Sequence, residues 1–226
     1  MSTDGIIKAA AYMSLHHSGE FYAGLLNHQP MGFYPPNTLV AEARRRGITI
    51  LPVDINSSDD KNLADAEGQM RLGLRLIAKL GEADRTTIIE EANKNGSYRS
   101  LLDFCVRVVL KRDRLENLIL SGAFDSLHPH RRGLLLRLDE TLMLAAAYRA
   151  EVTATGQKAL SFGSWQEHLT PCATDIKDFS IWERFLWTYR ITGVCADAHP
   201  LSFFRNKIAD RGILTVRERS INGLAR

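Results

Sequence analysis

The chain has 226 residues, 45% of them hydrophobic and 24% charged, proportions that fit an ordinary globular protein and exclude a disordered or fibrous one. Net charge is +3, from 29 basic and 26 acidic residues, so no large basic field announces nucleic acid. The balance drifts along the chain, with 4 basic against 6 acidic groups over 1–60, 11 against 10 over 61–130, and 14 against 10 over 131–226. The later two thirds are mildly basic and permit contact with phosphate. Cys105, Cys172 and Cys195 are far apart, with neither zinc-ligand spacing nor a disulfide framework among them. His16 and His17 are adjacent, so on a helix they diverge by about 100° and do not converge on one ion. No 18 apolar residues run together, and Met1-Ser-Thr-Asp-Gly lacks the basic region of a secretory signal. A cytosolic protein is expected.

In chain order, Ile6 to Leu26 reads as one helix, with Ala11, Leu15, Tyr22 and Leu26 at helical spacing. Pro30, Gly32, Pro35 and Pro36 force a loop after it. Asn37 reads as the N-cap of a second helix ending near Arg46, with Gly47 as its left-handed terminator. Ile48 to Ile55 is a short β-branched run, hence a strand, and Pro52 points to an edge position or an isolated ladder. From Met70, Leu72, Leu76 and Ile77 predict a helix stopping near Gly81. Another follows with Ile88, Ile89 and Ala92 inward, ended by Asn95-Gly96. Leu101 to Val109 and Arg112 to Ser121 form a second helix–turn–helix unit, closed by Gly122. These two units are the plausible internal repeat. Arg132 to Ala150 predicts a further helix, 153–180 a linker or extended surface segment, and Ile181 to Tyr189 and Pro200 to Arg211 two last short helices.

A helix-hairpin-helix unit binds DNA because its tight turn leaves backbone N–H groups and partial positive charge at the second helix's N-terminus, which a phosphate oxygen satisfies without reading a base. The first candidate turn, Ile77-Ala78-Lys79-Leu80-Gly81, has the flanking apolar residues and the second glycine, with Lys79 where such a turn usually has its first. Glu82 and Asp84 then favour the helix dipole but repel phosphate. The second turn, Val108 to Arg112, has no glycine, and offers Arg107, Lys111, Arg112 and Arg114 against Asp113. Its bland reading is a solvated charged face. The candidate DNA-binding residues are thus Lys79, Gly81, Arg107, Lys111, Arg112 and Arg114. No glycine-rich phosphate loop or G-x-S-x-G motif is present, and Asp54, Asp59 and Asp60 have no third acidic partner on a second strand for a two-metal site. No catalytic or metal-binding residue is expected.

Gly19 to Val40, Glu42 to Gly47 and Leu51 to Asn56 together resemble the late fingers region of bacterial C-family DNA polymerase α subunits, the loop Asn27 to Tyr34 being most similar to the error-prone branch. Arg71 to Ile77, Leu118 to Leu127, Tyr189 to Gly193 and His199 to Arg205 continue the resemblance in order. It implies a mainly α fold with one short β segment. The end of the fingers would occupy 1–60, a tandem helix-hairpin-helix domain 61–150, and a linker with short helices 151–226, leading towards an oligonucleotide-binding barrel. It implies sequence-independent binding of duplex DNA in replication and damage-tolerant repair synthesis. The catalytic palm, with its Mg2+ ions, is expected only in a complete polymerase, so the chain alone is expected not to polymerise, and the remainder of the polymerase is an expected partner. The alternative is an independent helical interaction protein that kept the fold and lost the DNA role.

Overall fold

Residues 3–30, 34–155, 176–196, 200–205 and 210–211 are described by the structure, a computed structural model. Where one helix is expected over 6–26 there are two, α1 (Thr3–His16) and α2 (Ser18–Asn27), separated at His17, whose ψ of 52° is not helical. The break divides unlike halves: α2 buries Tyr22, Ala23 and Leu26, and α1 buries nothing. α3 (Pro36–Arg45) starts one residue before the expected cap, because Pro36 suits the first helical turn, and Gly47 ends it at φ +85°.

Three two-residue strands follow: β1 (Ile50–Leu51), β2 (Leu63–Ala64) and β3 (Met70–Arg71), in the order β1-β3-β2. β1 lies parallel to β3 and β2 antiparallel to it. Pro52 follows directly on an edge strand, where its missing N–H costs no ladder bond. The helix expected from Met70 is not there. Met70 and Leu72 are buried while Arg71 between them is not, and their N–H groups donate to the Thr49 and Leu51 carbonyls at 2.9 and 3.0 Å, as in an extended strand. Gly73 is pressed against the neighbouring segment: a Cβ there would stand 2.6 Å from the Asp60 carbonyl oxygen. Only a 3-10 turn, Leu74–Leu76, remains helical.

α4 (Glu82–Asn95), α5 (Leu101–Arg107) and α6 (Arg112–Ser121) match the expected elements, and Gly96 and Gly122 end α4 and α6 at positive φ. The helix expected over 132–150 is interrupted at Arg137 (φ −96°, ψ 2°) into α7 (Arg131–Leu136) and α8 (Leu138–Thr155). α9 (Ile181–Thr192) opens on a capping box, in which Ser180 Oγ accepts from the Glu183 N–H and the Glu183 carboxylate accepts from the Ser180 N–H at 2.7 Å. The linker expected at 153–180 falls largely outside the described residues; of the last expected helix, Pro200–Phe204 is a 3-10 turn and most of the rest is not described.

Residues Met1–Ala196 make one compact unit and Asp197–Arg226 another. The segment 57–68, which holds the expected boundary between 1–60 and 61–150, lies inside the first unit. Its Ser, Asn and Asp residues interrupt helical periodicity because they build turns and ties. Asp54 Oδ1 accepts the Asn56 and Ser57 N–H groups, and Asn62 exchanges hydrogen bonds of 2.8–2.9 Å with Asn27 of α2. The core of that unit runs from Tyr22 to Ala196, and its centre is a chain of edge-on aromatic contacts, Tyr98–Phe104 at 4.9 Å and Phe104–Phe124 at 5.2 Å. Burial pushes the Cys105 thiol up to about 12, so it stays protonated and inert. Among the described residues no helix is long and apolar enough to cross a membrane.

Candidate nucleic-acid interface

The first turn is anchored by Ile77 and Leu80, both buried. Between them Lys79 takes φ +67°, the one non-glycine residue with positive φ among those described. That conformation costs an L-residue about 1–2 kcal/mol, which explains why glycine suits the position. Lys79 is exposed, and its Nζ lies 3.5 Å from Asp113 Oδ2 on α6. Gly81 caps α4 in extended conformation, and its N–H donates to Asp84 Oδ2 at 3.1 Å. Asp84 in turn receives both hydrogen bonds of Arg114 Nη1, at 2.6 and 2.7 Å, again from α6. Asn117 of α6 donates to the Ala78 carbonyl at 2.7 Å.

The second turn joins α5 to α6 through extended residues. Val108 is buried, Val109 is 72% exposed at the tip, and Lys111 caps α6 with φ −67° and ψ 148°. No positive φ is needed here, so no glycine is needed. Lys111 is exposed, and Arg112 is half-exposed, pairing with Glu116 at 2.8 Å and with Asp139.

The two turns stand side by side, and each lends a cation to the acid at the start of the other's helix. Lys79 faces Asp113, and Arg114 faces Asp84. Asp84, which on sequence alone repels phosphate, is thereby matched across the pair, as is Asp113. Sequence reasoning missed these fasteners, because the partners are some thirty residues apart and nothing local marks them.

Of the six residues expected to touch DNA, the structure brings Lys79, Gly81, Lys111, Arg112 and Arg114 to this one surface. Arg107 is elsewhere. Its side chain is only 13% exposed and clamps the end of α4 onto α5. It bonds the Glu91 carboxylate at 3.1 Å and the carbonyls of Glu91 and Gly96 at 2.9 and 2.7 Å, and stacks 4.4 Å from the Tyr98 ring centroid. Burial opposes ionisation of Glu91, but hydrogen bonds from Asn95 and Arg107 hold its carboxyl below the usual range. A guanidinium so fully used is a structural clamp and has no donor to spare for phosphate.

Behind the first turn, Asp60 gathers Arg75 at 2.8 Å and Arg85, while Arg85 also donates to the Leu80 carbonyl at 2.6 Å. Burial would raise Asp60, but the hydrogen bonds from Arg85 and Arg75 outweigh it and lower the carboxyl. Among the described residues no group of three His, Cys, Asp or Glu could hold a metal ion.

A 3-10 turn leading into α4, and the pair α5–α6, meet at two tight turns tied across their helix N-termini. The arrangement is of the helix-hairpin-helix kind, with the leading helix of the first unit reduced to that 3-10 turn. In agreement, residues 47–134 match the family model described as a helix-hairpin-helix motif. Nearly the whole chain is similar to one segment of the error-prone DNA polymerases. It is 36% identical to the error-prone DNA polymerase of Symbiobacterium thermophilum over 92% of this chain and 22% of that protein. It is 32% identical to that of Dechloromonas aromatica over 96% of this chain and 20% of the relative, and 31% identical to that of Mycolicibacterium paratuberculosis over 95% and 18%. The chain thus spans about a fifth of the relatives it matches.

Proposed function

We propose that this chain is the duplex-gripping segment of an error-prone DNA polymerase, holding DNA by its phosphates without reading sequence. The observation that carries the reading is the placing of Lys79, Lys111 and Arg112, exposed or half-exposed, around two helix N-termini fastened side by side. Backbone-directed contact of this kind fixes position on a duplex and carries no base information, so unrelated sequences bind alike. Binding is weak, because Glu82, Asp84, Asp113 and Glu116 share the surface with the cations. Nucleotide chemistry, with the Mg2+ it needs, is assigned to parts of such a polymerase outside the matched fifth. The damage-tolerant role, and work in the cytoplasm beside the chromosome, follow from the same reading.

The test is duplex affinity against salt. Three phosphate contacts give a log–log slope of roughly −3, since each contributes about 0.9. The double variant Lys111→Ala/Arg112→Ala is expected to flatten it by about 2 units. Equal affinity of parent and variant between 50 and 200 mM salt would sink the DNA reading, and leave the hairpins a solvated face on an interaction protein.

A further inference from the structure

α1 carries apolar residues on every side, interspersed with Thr3, Asp4, Lys8, Ser14 and His16, yet buries no residue. Ile6 and Ile7 are 54% and 62% exposed, Tyr12 57% and Leu15 71%, with Ala9, Ala10 and Ala11 between them also exposed. Its one acid and one lysine, Asp4 and Lys8, pair with each other at 2.8 Å. A helix apolar on all sides belongs in an interior. At 14 residues it is too short to cross a bilayer, and it lacks the charged face of a helix that lies on one. The break at His17 sets it apart from α2, which carries the chain into the core.

The matched polymerases are about five times longer than this chain, and one aligns over 96% of it. At most nine or so of the 226 residues are then left out, so that alignment reaches into α1 even if every omitted residue precedes it. The length that would cover α1 therefore exists in the proteins that share it.

We infer that α1 is a docking helix, which seats in an apolar, near-neutral groove of the polymerase remainder, in cis or in trans. The inference rests on the polymerase reading above, but uses a surface separate from the hairpins. Because no residue of α1 is buried, charges placed on it leave the fold intact.

The experiment takes the full chain and the double variant Ile7→Asp/Leu15→Asp. Each is co-expressed with a tagged Symbiobacterium-type error-prone polymerase from which the matched segment has been deleted. Co-purification, melting temperature, duplex affinity and mass in solution are then measured. The parent is expected to co-purify and the variant to be retained at least tenfold less, with melting temperature and duplex affinity unchanged and both chains monomeric alone. Equal retention of the two, or no retention of the parent, overturns the docking role. So does a parent dimer that the variant dissociates, since a second copy would then be the occupant, and so does a variant that melts early. If neither form binds duplex but only the parent is retained, the DNA reading fails and the docking helix stands.

Discussion

The two turns are flanked differently, the first by a 3-10 turn and α4 and the second by α5 and α6, and they are held by different forces. α5 and α6 each bury five residues, and Phe104 and Leu118 at their centre are fully enclosed. α4, the second helix of the first hairpin, buries only Ile88. Beyond the buried turn residues Ile77 and Leu80, α4 is held by polar ties: Asp60 to Arg85, Asp84 to Arg114, and Glu91 to Arg107. α5 and α6 are therefore core, and α4 is fastened onto that core. The first turn is the left-handed one, and the second does without glycine because its residues stay extended with negative φ. A turn of this kind can lose its glycines where no left-handed residue is required.

The largest expected effect tests the core side of that contrast. Phe104→Ala removes the ring that bridges Tyr98 and Phe124, and should cost about 3–5 kcal/mol in denaturant unfolding. Ile89→Ala on α4, where the side chain is only partly buried, should cost well under half of that. Equal losses would mean that the first hairpin is as much core as the second.

Next come the fasteners. Arg114→Ala leaves Asp84 without its partner at the α4 N-terminus, so both stability and duplex affinity should fall. Asp84→Asn should restore much of the affinity in the double variant. A coupling of about 0.5–3 kcal/mol in a double-mutant cycle is the expected scale for a contacting charged pair. Additive effects would show that Arg114 meets phosphate directly and is not a positioning residue.

Acid should separate the hairpins. The Asp60 and Glu91 carboxyls are lowered in the folded chain. Their contribution is therefore full above their unfolded values of about 4 and is lost as pH falls through the lower folded values. Amide exchange should accelerate in α4 before α5 and α6 as pH drops below about 4. Asp60→Asn should abolish most of the difference at the α4 N-terminus. Simultaneous opening of all three helices would refute the division.

Much of this was legible in sequence. α4, α5 and α6 have caps, terminators and apolar spacing that agree with one another, and tertiary packing had nothing to override. Met70 to Leu76 was open to misreading, because Met70, Leu72, Leu74 and Leu76 fit a period of two while Leu72, Leu76 and Ile77 fit a helix. The pressed-in Gly73 decided between them, and a close backbone approach has no local signature. At the site, charge and turn chemistry pointed to Lys79, Lys111 and Arg112. Arg107 looked equivalent in sequence, yet the carbonyls that absorb it come from the end of α4, visible only once the helices are packed.

The smallest effect bears on how the first turn meets phosphate. Lys79→Gly relieves a left-handed lysine, worth about 1 kcal/mol. It also removes an exposed pair with Asp113 of at most about 1 kcal/mol, and frees the unfolded chain somewhat. These nearly cancel, so stability should move by less than about 0.5 kcal/mol, as for most surface changes. The salt slope is the sharper measure. If the lysine ammonium itself meets phosphate, glycine flattens the slope by about 0.9 and weakens binding. If the turn works through its backbone, as a glycine-bearing hairpin does, the slope holds and affinity rises as the side chain clears the approach. We expect the first outcome, because the Gly81 N–H is already taken by Asp84 and the ammonium is the exposed cation of that turn.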